Sequence, residues 1–111
     1  MTNIRVAGGT AAETAGARST DPLNWRGEIL GDGEHYLSRL VAAARDSKHV
    51  SVECRQLRRV AFTASTSLLG QLIRLQQAGV AVEFRNVNVL IAALWQLLGV
   101  AAVCEVRIRR A

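Results

Sequence analysis

"HVSVECRQLRRVAFTASTSLLGQLIRLQQAGVAVEFRNV", residues 49–87, decides the fold class. At its start Val50, Val52 and Cys54 alternate with Ser51 and Glu53, the pattern of a strand covered on one side. At its end Val80, Val82 and Phe84 alternate with Ala81, Glu83 and Arg85, a second such strand. Between them a helix is predicted from about Ser65 to Ala78. Leu68, Leu69, Leu72, Ile73 and Leu75 form its apolar side, and Gln71, Arg74, Gln76 and Gln77 its wet side. Gly79 stops it in the usual position just past a helix end. Residues 60–62, "VAF", read either as more sheet or as the lead into the turn. Strand, helix and strand in succession require a crossover, so the two strands run parallel.

The same alternation extends in both directions. Residues 24–30, "NWRGEIL", suggest a short strand carrying Trp25, Ile29 and Leu30. A helix follows, capped by Asp32 or Gly33, with Glu34 at the positive end of its dipole. Tyr36, Leu37, Leu40, Val41 and Ala44 recur on its inner face, opposite Ser38, Arg39 and Arg45. Beyond residue 87, Asn88 caps a third helix, Val89 to Leu98, which Gly99 ends. Residues 103–109, "VCEVRIR", alternate once more as a last strand.

Helices alternating with strands predict an α/β chain with a mostly parallel sheet of four to five strands. Right-handed crossovers place successive helices on one face, giving a two-layer sandwich. The other face then falls to Glu53, Arg55, Glu83, Arg85, Glu105 and Arg107, which alternate with the apolar positions. Residues 7–22 are small, polar and aperiodic and read as a flexible arm, while "NIRV" (3–6) could pair as an edge strand. The division is thus an arm over 1–23 and an ordered domain over 24–110.

Composition narrows the functions. The chain has 111 residues, a size for one domain, and half of them are hydrophobic. The net charge is +5, and every basic residue except Lys48 is Arg. Most arginines are scattered, as on a solvated surface, and only Arg107, Arg109 and Arg110 form a dense group. No aromatic residues alternate with them as stacking platforms, so nucleic acid is not expected as a partner. Cys54 and Cys104, with no signal peptide ahead of them, read as reduced thiols of a cytoplasmic protein. The longest apolar run, 87–103, is broken by Asn88, Gln96 and Gly99 and is too short to span a membrane.

Catalytic and metal chemistry find no foothold. There is no Cys-x-x-Cys pair and no His pair at helical spacing, so no metal is expected. His35 and His49 read as surface residues. Neither "GGT" (8–10) nor "GDG" (31–33) has the spacing of a nucleotide-binding loop. No base can be named beside Ser65, so a non-enzyme without cofactor is expected.

Residues 24–109 resemble the STAS domain, the fold of anti-sigma-factor antagonists. The resemblance is carried by the strand ending Glu53-Cys54-Arg55, the helix ending before Gly79, the Asn86-Val87 turn, and Leu97-Leu98-Gly99 closing a short apolar helix. In that family an Asp-Ser-Ser/Ala-Gly turn opens the helix and carries the phosphorylated Ser. Here either Ala61-Phe62-Thr63-Ala64 or Ala64-Ser65-Thr66-Ser67 stands in its place, and in both registers the acid is Ala. The resemblance therefore leans toward the degenerate branch, which includes the small cytoplasmic subunit of phospholipid-trafficking ABC transporters. It implies a regulatory or adaptor subunit that binds an ABC-type ATPase or an anti-sigma-factor kinase-like protein.

The docking surface expected from the residues joins the start of the second helix, with Thr63, Ser65, Thr66 and Ser67, to the third helix. The hydroxyls there are read as helix caps. In "VLIAALWQLL" (89–98), Leu90, Leu94, Leu97 and Leu98 are assigned to the sheet, so Val89, Ile91 and Trp95 point outward as contact residues or as a homodimer surface. Two alternatives stand beside this: an antagonist switched by phosphorylation at Ser65, and a nucleic-acid binder using Arg58, Arg59 and residues 107–110.

Overall fold

A computed structural model of the chain describes residues 23–110. Residues 1–22 of the arm, with the "NIRV" strand, lie outside the described residues, and Leu23, counted with the arm, opens the first strand. The chain runs β1 (Leu23–Asn24), β2 (Gly27–Ile29), α1 (Glu34–Arg45), β3 (His49–Glu53), β4 (Leu57–Val60), α2 (Phe62–Gln77), β5 (Ala81–Val87) and α3 (Val89–Leu98). A 3-10 turn (Val100–Ala102) and β6 (Glu105–Ile108) complete it. β1, β3, β5 and β6 lie side by side in that order in one sheet, and β2 pairs with β4 in a separate ribbon. Every described pairing is parallel.

The α/β class and the parallel sheet follow the alternating pattern. Val50 pairs with Val82, and Val52 with Phe84, which pairs in turn with Val106. These residues point into one core with Leu40 of α1, Leu68 and Leu72 of α2, and Ile91 and Trp95 of α3. The helices thus cover the apolar face. On the opposite face Ser51, Glu83 and Glu105 form one row across three strands, and Glu53 stands beside Arg85.

The strand expected over 24–30 is broken in two. Trp25 drops into the core, and Gly27, at φ 76°, turns the backbone away from the sheet. The neighbouring chain leaves with it. The Trp25 N–H donates to Glu53 O at 3.0 Å and the Gly27 N–H to Gln56 O at 2.9 Å, and Leu57 N–H closes a turn onto Cys54 O at 3.0 Å. The pair then resumes as the β2–β4 ribbon. β4 includes Arg58 and Arg59, both exposed, which is why no alternation marks it in the sequence.

α3 is rotated relative to expectation. Ile91, Ala92 and Trp95 face the core, while Leu90 is 76% exposed and Leu97 86%. Val89 is also exposed, and Leu94 and Leu98 are only partly buried. Ile91 and Trp95 therefore do not form an outward contact surface. The reason is volume and polarity at once. The Trp95 ring packs against Phe84 with centroids 5.0 Å apart at 62°, and its N–H meets a buried acceptor on α2. No leucine on this helix fills that space and satisfies that acceptor together.

α2 begins three residues earlier than predicted, at Phe62. Ala61 occupies the cap position and makes no side-chain cap bond. The hydroxyl cluster consequently sits inside the first turns and does not cap the helix.

Candidate functional site

α2 follows β4 and α3 follows β5, so both helices start at the carboxyl end of parallel strands. The hydroxyl cluster and the start of α3 share that rim. Each hydroxyl has a structural task. The Thr63 Oγ1–H donates to Gly31 O and ties the loop after β2 to α2. The Thr66 Oγ1–H bonds back along its own helix to Thr63 O at 2.9 Å. Ser67 is half-buried.

Ser65 is the decisive member. Its side chain is fully buried, and Oγ accepts the Trp95 indole N–H at 3.1 Å. A hydroxyl enclosed in this way offers no approach to a kinase, so the structure contradicts Ser65 as an accessible phosphosite and as a partner contact. It belongs to the core.

What the rim does expose is apolar. Phe62 is 60% and Leu30 61% exposed. The bond from Thr63 to Gly31, and one from the Ala61 N–H to Ile29 O at 2.8 Å, bring these two side chains to the same edge. Val89 and Leu90 open α3 at that end, after Asn88, whose Oδ1 accepts the Leu90 N–H at 2.7 Å. Leu90, Ala93, Leu94 and Leu97 then recur at helical spacing along the outer side of α3. In the sequence Leu30 reads as part of a short strand and Phe62 as part of the turn before α2, neither of them as a contact residue. The Leu90–Leu97 spacing was legible as a stripe, but it was assigned to the core.

Close packing holds the loop before α1. Gly33 adopts φ 69°, and a Cβ there would lie 3.0 Å from Ile29 Cγ2 and 3.2 Å from Ala64 Cβ. Glycine is the residue this approach and this backbone conformation require. Next to it Trp25, Tyr36 and Leu68 line a cavity of about 10 Å³, the size of one water. The Trp25 indole N–H has no partner among the described residues.

Charge gathers on the same rim. The Arg109 N–H donates to Val87 O at 2.7 Å, and its guanidinium donates to Arg55 O at 2.8 Å. The Cys54 N–H donates to Arg85 O at 2.8 Å. Arg26, Arg55 and Arg109 follow the ends of β1, β3 and β6, and Arg85 lies within β5 beside Glu53; all four are exposed. Glu53 nearby is engaged by the Asn86 Nδ2–H at 2.9 Å and the Arg55 backbone N–H at 3.0 Å. Among the described residues the ion pairs belong to Arg107, whose Nε lies 2.9 Å from Glu83 and 2.7 Å from Glu105.

Neither cysteine is placed to react. Burial, and secondarily the Glu53 charge, pushes the Cys54 thiol far above its ordinary range. Burial, and secondarily Glu105, pushes Cys104 up to about 12. Among the described residues no three His, Cys, Asp or Glu side chains gather as metal ligands, and no helix is long and apolar enough to cross a membrane. Searched against protein-family models, curated proteins and solved structures, the chain matches none of them.

Proposed function

We propose that the protein is a non-catalytic interaction module, a regulatory or adaptor subunit of the STAS type that docks a partner through the outer face of α3 and the start of α2. The observation that carries this is the Leu90–Ala93–Leu94–Leu97 stripe, with two leucines more than three-quarters exposed on a helix already sheathing the core on its other side. A surface helix ordinarily turns polar residues outward. Burying such leucines against a partner would contribute about 1.5–3 kcal/mol each. Phe62, at the start of α2, and Leu30, in the loop after β2, are further exposed apolar side chains. The resemblance in residues 24–109 supports an ATPase or kinase-like protein as that partner. Ser65 as a switch has no support, because its hydroxyl is sealed against Trp95.

The test uses the full chain to recover a partner from its source cell and then measures rebinding with the purified partner. The double variant Leu90→Ser/Leu97→Ser should retain its circular dichroism spectrum and lose at least about tenfold in affinity. Unchanged affinity in the folded variant would remove the α3 surface from the proposal.

A further inference from the structure

We infer that in the free protein the outer face of α3 is covered by a second copy of this chain, packed antiparallel about a two-fold axis, and that the copies part when the partner docks. The inference rests on the α3 docking face of the interaction-module reading and adds what regulates it.

The face matches itself. Leu90 and Leu97 mark its two ends, both exposed, and Ala93 and Leu94 lie at its middle, the first exposed and the second half-buried. In a two-fold pair each contact occurs twice, with the same residues exchanged between the copies. Antiparallel helices centred between Ala93 and Leu94 seat Leu90 of each copy on Leu97 of the other. At the centre each Ala93 faces Leu94 of the other copy, small against large, which lets the helix axes approach to about 8–10 Å. A parallel pair would instead set Ala93 on Ala93 and Leu94 on Leu94, a gap beside a bump. The antiparallel pair also lays the start of each helix dipole beside the end of the other. Charge favours a second copy as well. A two-fold axis brings like residues toward one another, so a charged face repels its mate. From Asn86 to Cys104 the chain has no charged residue, so this face adds no local repulsion to that between two chains of net charge +5. Area sets the strength. α3 has ten residues and is about 15 Å long, and a patch of that length buries less than the roughly 800 Å² per partner of a standard interface. The dimer is therefore weak and reversible, as a face that must yield to another partner requires. A membrane surface is the less favoured occupant, because α3 carries no Lys or Arg beside its apolar stripe.

Sedimentation velocity of the full chain, from about 1 µM to about 500 µM, should show a reversible shift from one copy to two, with a midpoint on the order of 10–100 µM. Leu90→Ser/Leu97→Ser, with an unchanged circular dichroism spectrum, should stay a monomer throughout. Leu90→Asp and Leu97→Arg chains should each be monomeric alone, since each presses a charge onto leucine. Mixed in equal parts they should pair. The antiparallel arrangement sets the introduced carboxylate on the introduced guanidinium and keeps a Leu–Leu contact at the other end. Adding the purified partner should return the wild-type chain to one copy per partner. The inference is overturned if the wild-type chain stays monomeric at about 500 µM, if Leu90→Ser/Leu97→Ser dimerises as the wild type does, or if the mixed chains remain monomers. It is overturned equally if the partner binds the intact dimer, or if phospholipid vesicles take up the chain and no dimer forms. A monomeric wild type that still loses partner affinity on Leu90→Ser/Leu97→Ser would sink the dimer and leave the interaction module standing. A wild-type dimer whose partner binding ignores that variant would instead remove α3 from the docking surface.

Discussion

The Trp95 indole N–H donates to Ser65 Oγ at 3.1 Å, with neither side chain exposed. This bond links α3 to α2, fixes which face of α3 is inside, and occupies the hydroxyl that a phosphorylation switch would need. Ser65→Ala should therefore destabilise the fold by about 1–3 kcal/mol, because it leaves a buried indole N–H without a partner. Ser65→Glu should fail to hold the native core, since the carboxylate would be buried without a countercharge. Denaturant unfolding followed by tryptophan fluorescence measures both. A Ser65→Glu chain as stable as the wild type would show that the site opens to solvent.

The two faces of α3 should respond oppositely. Trp95→Ala empties a large core volume and should cost about 3–5 kcal/mol. Leu97→Ser removes an exposed side chain and should change stability by no more than about 0.5 kcal/mol. Equal losses in thermal unfolding would mean that the outer stripe is covered in the free protein.

Glu83 is almost wholly buried on the charged face of the sheet, where it accepts from Ser51 Oγ–H at 3.3 Å and pairs with Arg107 at 2.9 Å. Arg107→Ala should destabilise by about 1–3 kcal/mol. That is below the cost of breaking a fully buried pair, because Arg107 itself is half exposed. Glu83→Gln in the Arg107→Ala background should recover part of the loss. No recovery in urea midpoints would assign the effect to packing of the Arg107 stem.

The thiols give a pH dependence with a defined sign. Both pKa values are raised above the ordinary 9.0, so the folded chain holds these protons more tightly than the unfolded chain. Their contribution is fully present below pH 9.0 and is lost as pH rises toward the Cys104 value of about 12. Stability should fall above pH 9.0, by up to about 1.4 kcal/mol per pH unit for each thiol. Cys54→Ala/Cys104→Ala should flatten that decline in a melting series. A decline of the same steepness in the double variant would place its origin in other groups.

Residues 49–87 determined the α/β class by themselves. A period of two on both sides of a helical period leaves a parallel crossover as the economical reading, and the register confirms the polar row through Glu83 and Glu105. The break of the first strand was not legible, because it depends on Trp25 and the Cys54 turn leaving the sheet together, a pairing far apart in the chain. The end of α2 was legible in Gly79, but its start was not, since Ala61 is no recognisable cap. The rotation of α3 was beyond the sequence for a plainer reason. "VLIAALWQLL" is apolar almost all round, so no polar side marks what faces water. Only the packed structure decided it, because the Trp95 ring and its N–H fit one place, between Phe84 and Ser65.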